Sequence, residues 1–296
     1  MPARKDQTPE PAASPWDTRR IFDLLLRAGK IALGYRGKMV RELKEDSSLV
    51  TPADREIEDL IAGELERPDR GVYLIGEETL ARRGEDYLRE ALRQVAYVVD
   101  PIDGTAPYSH ELPNWGISIG RMEGGRLTDG AVFLPEMRQG EMVFSDGAAV
   151  QEAICRDGSW TVRGLARPPV EEGPGALIAI TQDLAKRGKI SFPNPVQALG
   201  TAVLPLVGIL QGRFLAYVGT LKLWDLAGCL PLLSRLGFSV THWRDRQLGE
   251  LGLEVTAGHY ELDPAHPFRW GVKGGLLVCP PSAESRLRQA LQNDGV

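Results

Sequence analysis

The chain has 296 residues, of which 43% are hydrophobic and 25% are charged, and its formal net charge is -5. This composition allows a large buried core, and the mixed acidic and basic residues argue against a nucleic acid polymer as the partner. No apolar run is long enough to span a membrane, and three separated cysteines without a Cys-x-x-Cys pair favour a reducing cytoplasm. Residues 1–15 carry four prolines among small polar residues, which predicts a flexible tail rather than a signal peptide.

Two helices are predicted before the first strand. Residues 16–35 carry apolar side chains at helical spacing, which is typical of a packing helix. A polar loop from Lys44 then leads to Thr51-Pro52, a pattern typical of an N-cap followed by a helix-starting proline. Asp54 would lie in the first turn of this helix, where the helix dipole favours a carboxylate. Asp54 alone therefore has two explanations, helix stability and function.

Two apolar runs end in acidic residues. The predicted strand 72–75 is followed by Gly76-Glu77-Glu78, and after a solvated helix within 79–94 the strand 95–99 ends at Asp100. Pro101 and Gly104 force a turn that keeps Asp100 and Asp103 close together. Adjacent carboxylates repel each other, and a hard divalent cation with oxygen ligands removes that conflict. The turn therefore indicates a metal site, although an Asp-Gly turn is also common in ordinary loops.

An antiparallel block follows this turn. Residues 115–122 and 127–134 are predicted to form a hairpin around Gly124-Gly125, and residues 140–145 a further strand. The segment 116–120 matches the Gly-x-Ser-x-Gly pattern of serine hydrolases, which requires a strand, a sharp turn and a helix. Here the alternation continues into the hairpin, so Ser118 is interpreted as an ordinary strand residue. The four histidines lack the spacing of a helical zinc site.

The last 120 residues alternate between strands and helices. Strands are predicted at 176–181, 214–218 and 274–278, and helices at 199–210, 221–236 and 282–291. Gly200-Thr201-Ala202 opens one helix, and backbone amides at a helix start can bind an anionic group. Asp225 is a third carboxylate at a strand-to-helix junction. The whole pattern predicts a layered α/β architecture.

These motifs together resemble the inositol monophosphatase-like family of magnesium-dependent, lithium-sensitive phosphatases. The matching motifs, in chain order, are the loop from Lys44 to Asp54, Gly76-Glu77-Glu78, Asp100-Pro101-Ile102-Asp103-Gly104-Thr105, Gly200-Thr201-Ala202 and Trp224-Asp225-Leu226-Ala227-Gly228. The resemblance covers residues 20–290 and implies a five-layer αβαβα sandwich, usually assembled as a homodimer. We expect residues 16–175 to form an N-terminal half that carries most metal ligands, and residues 176–296 to complete the active site.

The resemblance also implies a role for each site residue. One Mg²⁺ would bind Glu77, Asp100 and the backbone carbonyl of Ile102; a second would bind Asp100, Asp103 and Asp225, and a third, weaker ion would lie near Glu77. The catalytic residues would be Glu77 with Asp54 and Thr105, the pair that orients and deprotonates the attacking water. The substrate, a small phosphorylated metabolite, would contact Asp103, Gly104, Thr105, Gly200, Thr201, Ala202, Lys222 and Asp225.

Departures from the family pattern limit how far the substrate can be named. Residues 106–108 are Ala-Pro-Tyr where relatives carry a polar residue, asparagine and an aromatic residue; Val218 and Gln197 stand where an acid and an arginine are expected. Each hydrogen bond to a polyol hydroxyl that the site fails to make weakens polyol binding by about 1 to 3 kcal/mol. Lys222 would favour a second anionic group on the substrate, or is an exposed lysine at a helix start.

The expected function is a Mg²⁺-dependent phosphomonoesterase that hydrolyses an inositol phosphate or a sugar phosphate by attack of a metal-activated water. Three alternatives stay open at this point. The chain could be a 3'-nucleotidase acting on adenosine 3',5'-bisphosphate, a histidinol-phosphatase of the same family, or a non-catalytic metal-responsive regulator.

Overall fold

A computed structural model describes residues 16–38, 41–43, 49–187, 190, 192–244 and 247–294. The predicted tail, residues 1–15, and residues 44–48 of the predicted polar loop lie outside the described residues. The helices are α1 (Thr18–Tyr35), α2 (Pro52–Leu65), α3 (Glu85–Arg93), α4 (Thr105–Ser109), α5 (Gln182–Arg187), α6 (Val203–Leu210), α7 (Leu223–Ala227), α8 (Leu230–Arg235) and α9 (Pro281–Asp294).

The strands build two large sheets and a short ribbon. They are β1 (Glu42–Leu43), β2 (Leu49–Val50), β3 (Val72–Gly76), β4 (Val95–Asp103), β5 (Gly116–Glu123), β6 (Arg126–Leu134), β7 (Glu141–Ser145), β8 (Val150–Arg156), β9 (Ser159–Gly164), β10 (Ile178–Ile180), β11 (Val196–Gln197), β12 (Ala216–Gly219), β13 (Ser239–Arg244), β14 (Gln247–Glu250) and β15 (Gly275–Cys279). The first sheet has seven strands in the order β3-β4-β5-β6-β7-β8-β9, and the second has six in the order β11-β10-β12-β15-β13-β14.

Apolar residues on both faces of each large sheet explain the layering. On β4, Tyr97 and Val99 pack with the buried face of α1 and α2, whereas Ala96 and Val98 face a core that includes α3, α6, α7 and α8. On β15, Val278 faces this same central core, while Leu277 packs with α9 on the outer side. Because side chains alternate along a strand, such continuous apolar runs bury both faces of a sheet. The chain therefore forms the predicted five layers, αβαβα.

Two local predictions require correction. The predicted helix 221–236 is two helices, α7 and α8. Pro231 has no N–H to donate within a continuous helix. Gly228 also lies close to the seven-stranded sheet, since a Cβ at this position would be 2.4 Å from the Ser118 hydroxyl oxygen. The predicted helix within 79–94 is reduced to α3, preceded by a 3₁₀ turn at Leu80–Arg82. Strands β1, β2, β8, β9, β11, β13 and β14 and helices α4 and α5 were not predicted.

The interpretation of Ser118 as a strand residue is confirmed. It lies fully buried within β5, and its hydroxyl donates to the backbone carbonyl of Trp224 at 3.4 Å. Among the described residues, no helix has the length and apolar character needed to cross a membrane.

Candidate active site

The end of β4 carries two aspartates on one side of the sheet. Between Asp100 and Asp103 the pairing with β5 slips by one residue, where Pro101 offers no N–H to the ladder. On a regular strand, the side chains of residues three positions apart point to opposite faces of the sheet. The extra residue of a β-bulge lets the side chains of Asp100 and Asp103 point to the same face. Carboxylate oxygens of Asp100, Asp103 and Asp225 accordingly lie within 4.8 Å of one another.

A left-handed glycine turns the chain directly after these aspartates. Gly104 has φ 90°, and a Cβ at this position would lie 2.7 Å from the carbonyl oxygen of Asn114, so the turn requires glycine. Thr105 then begins α4. Its hydroxyl lies 3.1 Å from the backbone carbonyl of Ile102 and 3.3 Å from Oδ1 of Asp54. The turn thus brings Thr105 to a carboxylate 51 residues earlier in the chain.

Asp54 has a structural and a site-facing oxygen. Oδ2 accepts the backbone N–H of Thr51 at 2.8 Å and the Thr51 hydroxyl at 2.6 Å, which caps the start of α2. Oδ1 faces the Thr105 hydroxyl. The side chain is fully buried. The structure therefore shows the capping role of Asp54, and a catalytic role for its site-facing oxygen stays a prediction.

The start of α6 holds Asp103. The Thr201 hydroxyl and the Ala202 backbone N–H donate to Asp103 Oδ1, the latter at 2.8 Å, and the Val203 N–H lies 3.3 Å from Oδ2. The helix start that was predicted to bind a substrate anion thus already binds a carboxylate of the chain itself. Gly200, Thr201 and Ala202 also line the cavity beside it, so a substrate contact there stays a prediction.

The start of α7 supplies the third aspartate. Asp225 Oδ2 accepts the backbone N–H of Lys222 at 2.7 Å, which fixes the carboxylate toward β4. The Lys222 ammonium lies 5.2 Å from the ring centre of Trp224, and Lys222 is not among the residues that line the cavity. The structure therefore places the Asp225 side chain in the carboxylate cluster, and the nearby charge of Lys222 lowers the pKa of Asp225.

Glu77 joins the site from the neighbouring strand. It follows β3, and its backbone N–H donates to the carbonyl of Val99 at 3.2 Å, one residue before Asp100. Glu77 lines the same cavity, although it is not part of the group of oxygens within 4.8 Å. Parallel pairing of β3 with β4 thus brings the two acidic strand ends side by side.

A cavity of about 390 Å³ opens onto these residues. Its lining residues include an acidic group, Glu77, Asp100, Ile102, Asp103, Thr105 and Asp225, and a second group, Ile180, Thr181, Gln182, Tyr217 and Leu221. Neither Val218 nor Gln197 lines the cavity: Val218 packs with the outer core beneath α9, and Gln197 is exposed on β11. The second group combines apolar side chains with one amide and two hydroxyl side chains.

Burial makes the aspartates difficult to ionise together. Burial, and then repulsion from Glu77 and the neighbouring aspartates, raises the pKa of Asp100 well above its usual range. Burial also raises the pKa of Asp103 to about 6, although hydrogen bonds from the start of α6 lower it. For Asp225, burial and repulsion by Asp103 raise the pKa to about 8. The protein thus places several carboxylates where burial and mutual repulsion make their ionised forms unfavourable.

An unsatisfied oxygen indicates what would relieve this cost. Asp100 Oδ1 is buried without a hydrogen-bond partner in the structure, and such atoms are rare because burial without a partner costs free energy. Clustered carboxylate oxygens are the donors that hard divalent cations bind. The residues present therefore fit Mg²⁺.

Comparison with known proteins identifies the family. The model of the inositol monophosphatase family matches residues 18–270. The chain belongs to the inositol monophosphatase family. It is therefore a phosphatase, and the resemblance stated from the sequence motifs is confirmed.

Relatives in this family have several activities. An inositol-1-monophosphatase of Mesorhizobium japonicum is 29% identical over 66% of this chain and 72% of its own length. A histidinol-phosphatase of Chlorobaculum parvum is 25% identical over 78% of this chain and 87% of its own. A fructose-1,6-bisphosphatase/inositol-1-monophosphatase of Thermotoga maritima is 24% identical over 76% and 84%. Family membership thus leaves the substrate of this phosphatase open.

Solved structures confirm the fold. An IMPase of Thermotoga maritima superposes with a TM-score of 0.68 at 19% identity, covering 93% of this chain and 97% of the other. An IMPase/NADP phosphatase complexed with Mg²⁺ and phosphate superposes with a TM-score of 0.64 at 17% identity, covering 94% and 95%. The layered architecture of the phosphatase is thus that of the family.

The raised pKa values predict how the metal-free phosphatase responds to pH. An aspartate in an unfolded chain titrates at about pH 3.9, whereas the pKa values of Asp103 and Asp225 in the fold are about 6 and about 8. Between these values the folded protein holds more protons than the unfolded chain, so stability falls as the pH rises through this window. A cation that binds the ionised carboxylates opposes the fall.

Thermal unfolding with Mg²⁺ and with a chelator, at about pH 5.5 and about pH 8.5, measures this linkage. We expect the increase in melting temperature caused by Mg²⁺ to be larger at the higher pH. An increase independent of pH would contradict the prediction. Asp225→Asn removes a carboxyl whose pKa is raised to about 8 and should reduce the pH dependence.

Glu58 is a buried carboxylate on α2 that was not predicted to have a role. Glu58 lies on the buried face of α2 beside Ile57 and Ile61 and is fully buried. Burial raises its pKa, and hydrogen bonds from the loop after β3 lower it. The sequence contained one signal, a glutamate one helical turn after Asp54 on the same helix face.

Proposed function

We propose that this phosphatase is a Mg²⁺-dependent phosphomonoesterase that transfers the phosphoryl group of a small phosphate monoester directly to water. The observation that carries the proposal is the unpartnered Oδ1 of Asp100 within the cluster of three carboxylates. No serine, cysteine or histidine is among the described residues that line the cavity, so three common side-chain nucleophiles are missing from this lining.

Five groups would hold the metal. They are the carboxylates of Glu77, Asp100, Asp103 and Asp225 and the backbone carbonyl of Ile102, enough donors for two ions, with a third near Glu77. Mg²⁺ would neutralise the phosphoryl oxygens, lower the pKa of a bound water and stabilise the leaving oxygen. The complex of an IMPase/NADP phosphatase with Mg²⁺ and phosphate, which shares the fold, supports this choice of ion.

Asp54 and Thr105 would move the proton of the attacking water. The Thr105 hydroxyl has one hydrogen, which it can donate to Asp54 Oδ1 or to the Ile102 carbonyl. When it donates to Asp54, its lone pairs are free to accept a hydrogen bond from water. The Asp54 carboxylate is held by its capping bonds, so the pair would be oriented before substrate binds. This intact pair argues against a non-catalytic regulator.

The second group of lining residues suggests the class of leaving group. No lysine, arginine or histidine is among the described residues that line the cavity, so these residues offer no cationic partner to a second phosphate. Thr181 and Gln182 offer hydrogen bonds, and Ile180 and Leu221 offer apolar contact. We therefore favour a neutral hydroxylated leaving group, as in an inositol phosphate or a sugar monophosphate. Histidinol phosphate is the second candidate, because its cationic leaving group suits the excess of carboxylates.

A phosphate-release assay tests the proposal. Release is measured with and without Mg²⁺ from inositol 1-phosphate, histidinol phosphate, fructose 1,6-bisphosphate and adenosine 3',5'-bisphosphate, with Asp100→Asn as the blank. We expect Mg²⁺-dependent release, with kcat/KM for a monophosphate at least about tenfold above that for either bisphosphate, equivalent to about 1.4 kcal/mol. Preference for a bisphosphate would contradict the assigned leaving group, and release without Mg²⁺ would contradict the metal-dependent reaction.

The predicted homodimer is part of the proposal. Leu33 and Leu112 are 42% and 50% exposed, and Arg36, one turn after Leu33 in sequence, donates to the Leu112 carbonyl at 2.8 Å. Exposed leucines close together favour contact with another protein surface. Light scattering should then give about twice the chain mass of 32.5 kDa. Lithium inhibition remains a prediction from the family resemblance, and a cytoplasmic location remains a prediction from the three separated cysteines.

A further inference from the structure

Glu58 contacts the loop that carries Glu77. Its two carboxylate oxygens accept the backbone N–H groups of Glu78 at 2.9 Å and of Thr79 at 2.8 Å. These are the two residues directly after Glu77. The Glu77 N–H itself donates to Val99 on β4. Three successive N–H groups of the loop are therefore held, one by the sheet and two by a single buried carboxylate.

The fit between Glu58 and the loop is close. A Cβ at Gly76 would lie 2.2 Å from Oε1 of Glu58, so only glycine leaves room for the carboxylate against the end of β3. Asp54 and Glu58 are four residues apart on α2 and share one helix face. Asp54, in the first turn of α2, contacts the Thr105 hydroxyl, and Glu58, in the next turn, contacts the loop after β3.

We propose that Glu58 is a positioning residue that fixes the loop after β3 so that the Glu77 carboxylate faces Asp100, and that it thereby sets the affinity of the site for Mg²⁺. This inference rests on the proposed metal-dependent function. Glu58 would contact neither metal nor substrate, and it would act through the backbone next to Glu77.

A carboxylate is suited to this role for a chemical reason. Each oxygen accepts one of two adjacent N–H groups, and bonds to a charged acceptor are stronger than neutral ones. A glutamine has one acceptor oxygen, and its NH₂ group would face the second N–H. A charged group that served only to fill space in the core could be replaced by an apolar side chain without loss. Positioning of a ligand loop gives the buried charge a function.

Isothermal titration of the metal-free protein with Mg²⁺ tests the inference through Glu58→Gln. We expect weaker Mg²⁺ binding by about 10- to 100-fold, the range typical of residues that orient metal ligands. The Mg²⁺ concentration for half-maximal phosphate release should rise by the same factor, while kcat at saturating Mg²⁺ stays near that of the parent protein. Glu56→Gln is the matched control, because it removes the same charge from an exposed position on α2 and should leave Mg²⁺ binding unchanged.

The outcomes separate this inference from the proposed function. Wild-type Mg²⁺ affinity in folded Glu58→Gln overturns the positioning role alone, whereas absence of Mg²⁺ binding to the parent protein overturns the metal site itself. If Glu58→Gln does not fold, Glu58→Asp retains the charge but shortens the side chain. It should then weaken Mg²⁺ binding several-fold, and unchanged binding would overturn the inference.

Discussion

Replacement of Asp100 by asparagine is expected to lower phosphate release by about 10³-fold or more, because ligands shared by two metal ions contribute several kcal/mol to the transition state. Asp100 belongs to the cluster of three aspartates, and its Oδ1 is buried without a hydrogen-bond partner. Steady-state kinetics at saturating Mg²⁺, together with Mg²⁺ titration, measure the loss.

Stability should change in the opposite direction. Asparagine removes a buried carboxyl whose ionisation is opposed by burial and by neighbouring carboxylates, so the metal-free variant should melt at a higher temperature at about pH 8. Mg²⁺ should then stabilise the variant less than the parent protein. Asp59→Asn, at an exposed position on α2, is the control. Full activity of Asp100→Asn with unchanged metal content would contradict the assignment of Asp100.

Replacement of Thr105 by valine is expected to lower kcat by about 10²-fold or more, the range found when a proton-transfer group is removed. Valine keeps the branched shape but cannot relay a proton to Asp54. Neither Mg²⁺ binding nor the cap of α2 should change, because Thr105 supplies no bond to Thr51. Rapid mixing or steady-state kinetics with the best substrate of the panel measure kcat.

Thr105→Ser is the matched control, since it keeps the hydroxyl and removes only a methyl group. We expect it to retain most of the parent kcat. Equal losses for the serine and valine variants would indicate that the side chain acts by packing, and the proposed proton transfer would then be wrong.

Local rules acting over a few residues determined much of the site. Glu77, Asp100 and Asp103 could be named from the sequence because each follows an apolar strand and accompanies a residue that ends it. Asp225 could be named as a first-turn acid of a helix. The alternation of elements predicted the layered fold for the same reason, because hydrophobic periodicity reports which faces are buried.

Residues whose partners lie far away in the chain were harder to predict. Glu58 lies on the buried face of α2, but only the position of the loop after β3 shows which N–H groups its carboxylate accepts. The amides at the start of α6 suggested a substrate site, yet they donate to Asp103, about 100 residues earlier. The sequence predicted α7 and α8 as one helix, because a hydrophobic pattern does not show the close contact between Gly228 and the seven-stranded sheet.

The sequence by itself determined the carboxylates, the turns beside them and a layered α/β fold, because these depend on strand ends, glycine, proline and hydrophobic periodicity. The family resemblance implied the five-layer order. Tertiary structure decided which carboxylate oxygens of Asp54 and Asp103 are already bonded, where Val218 packs, and which side chains line the cavity. Those features depend on packing between segments far apart in the chain, as between Asp103 and the start of α6, and no pattern within one segment encodes them.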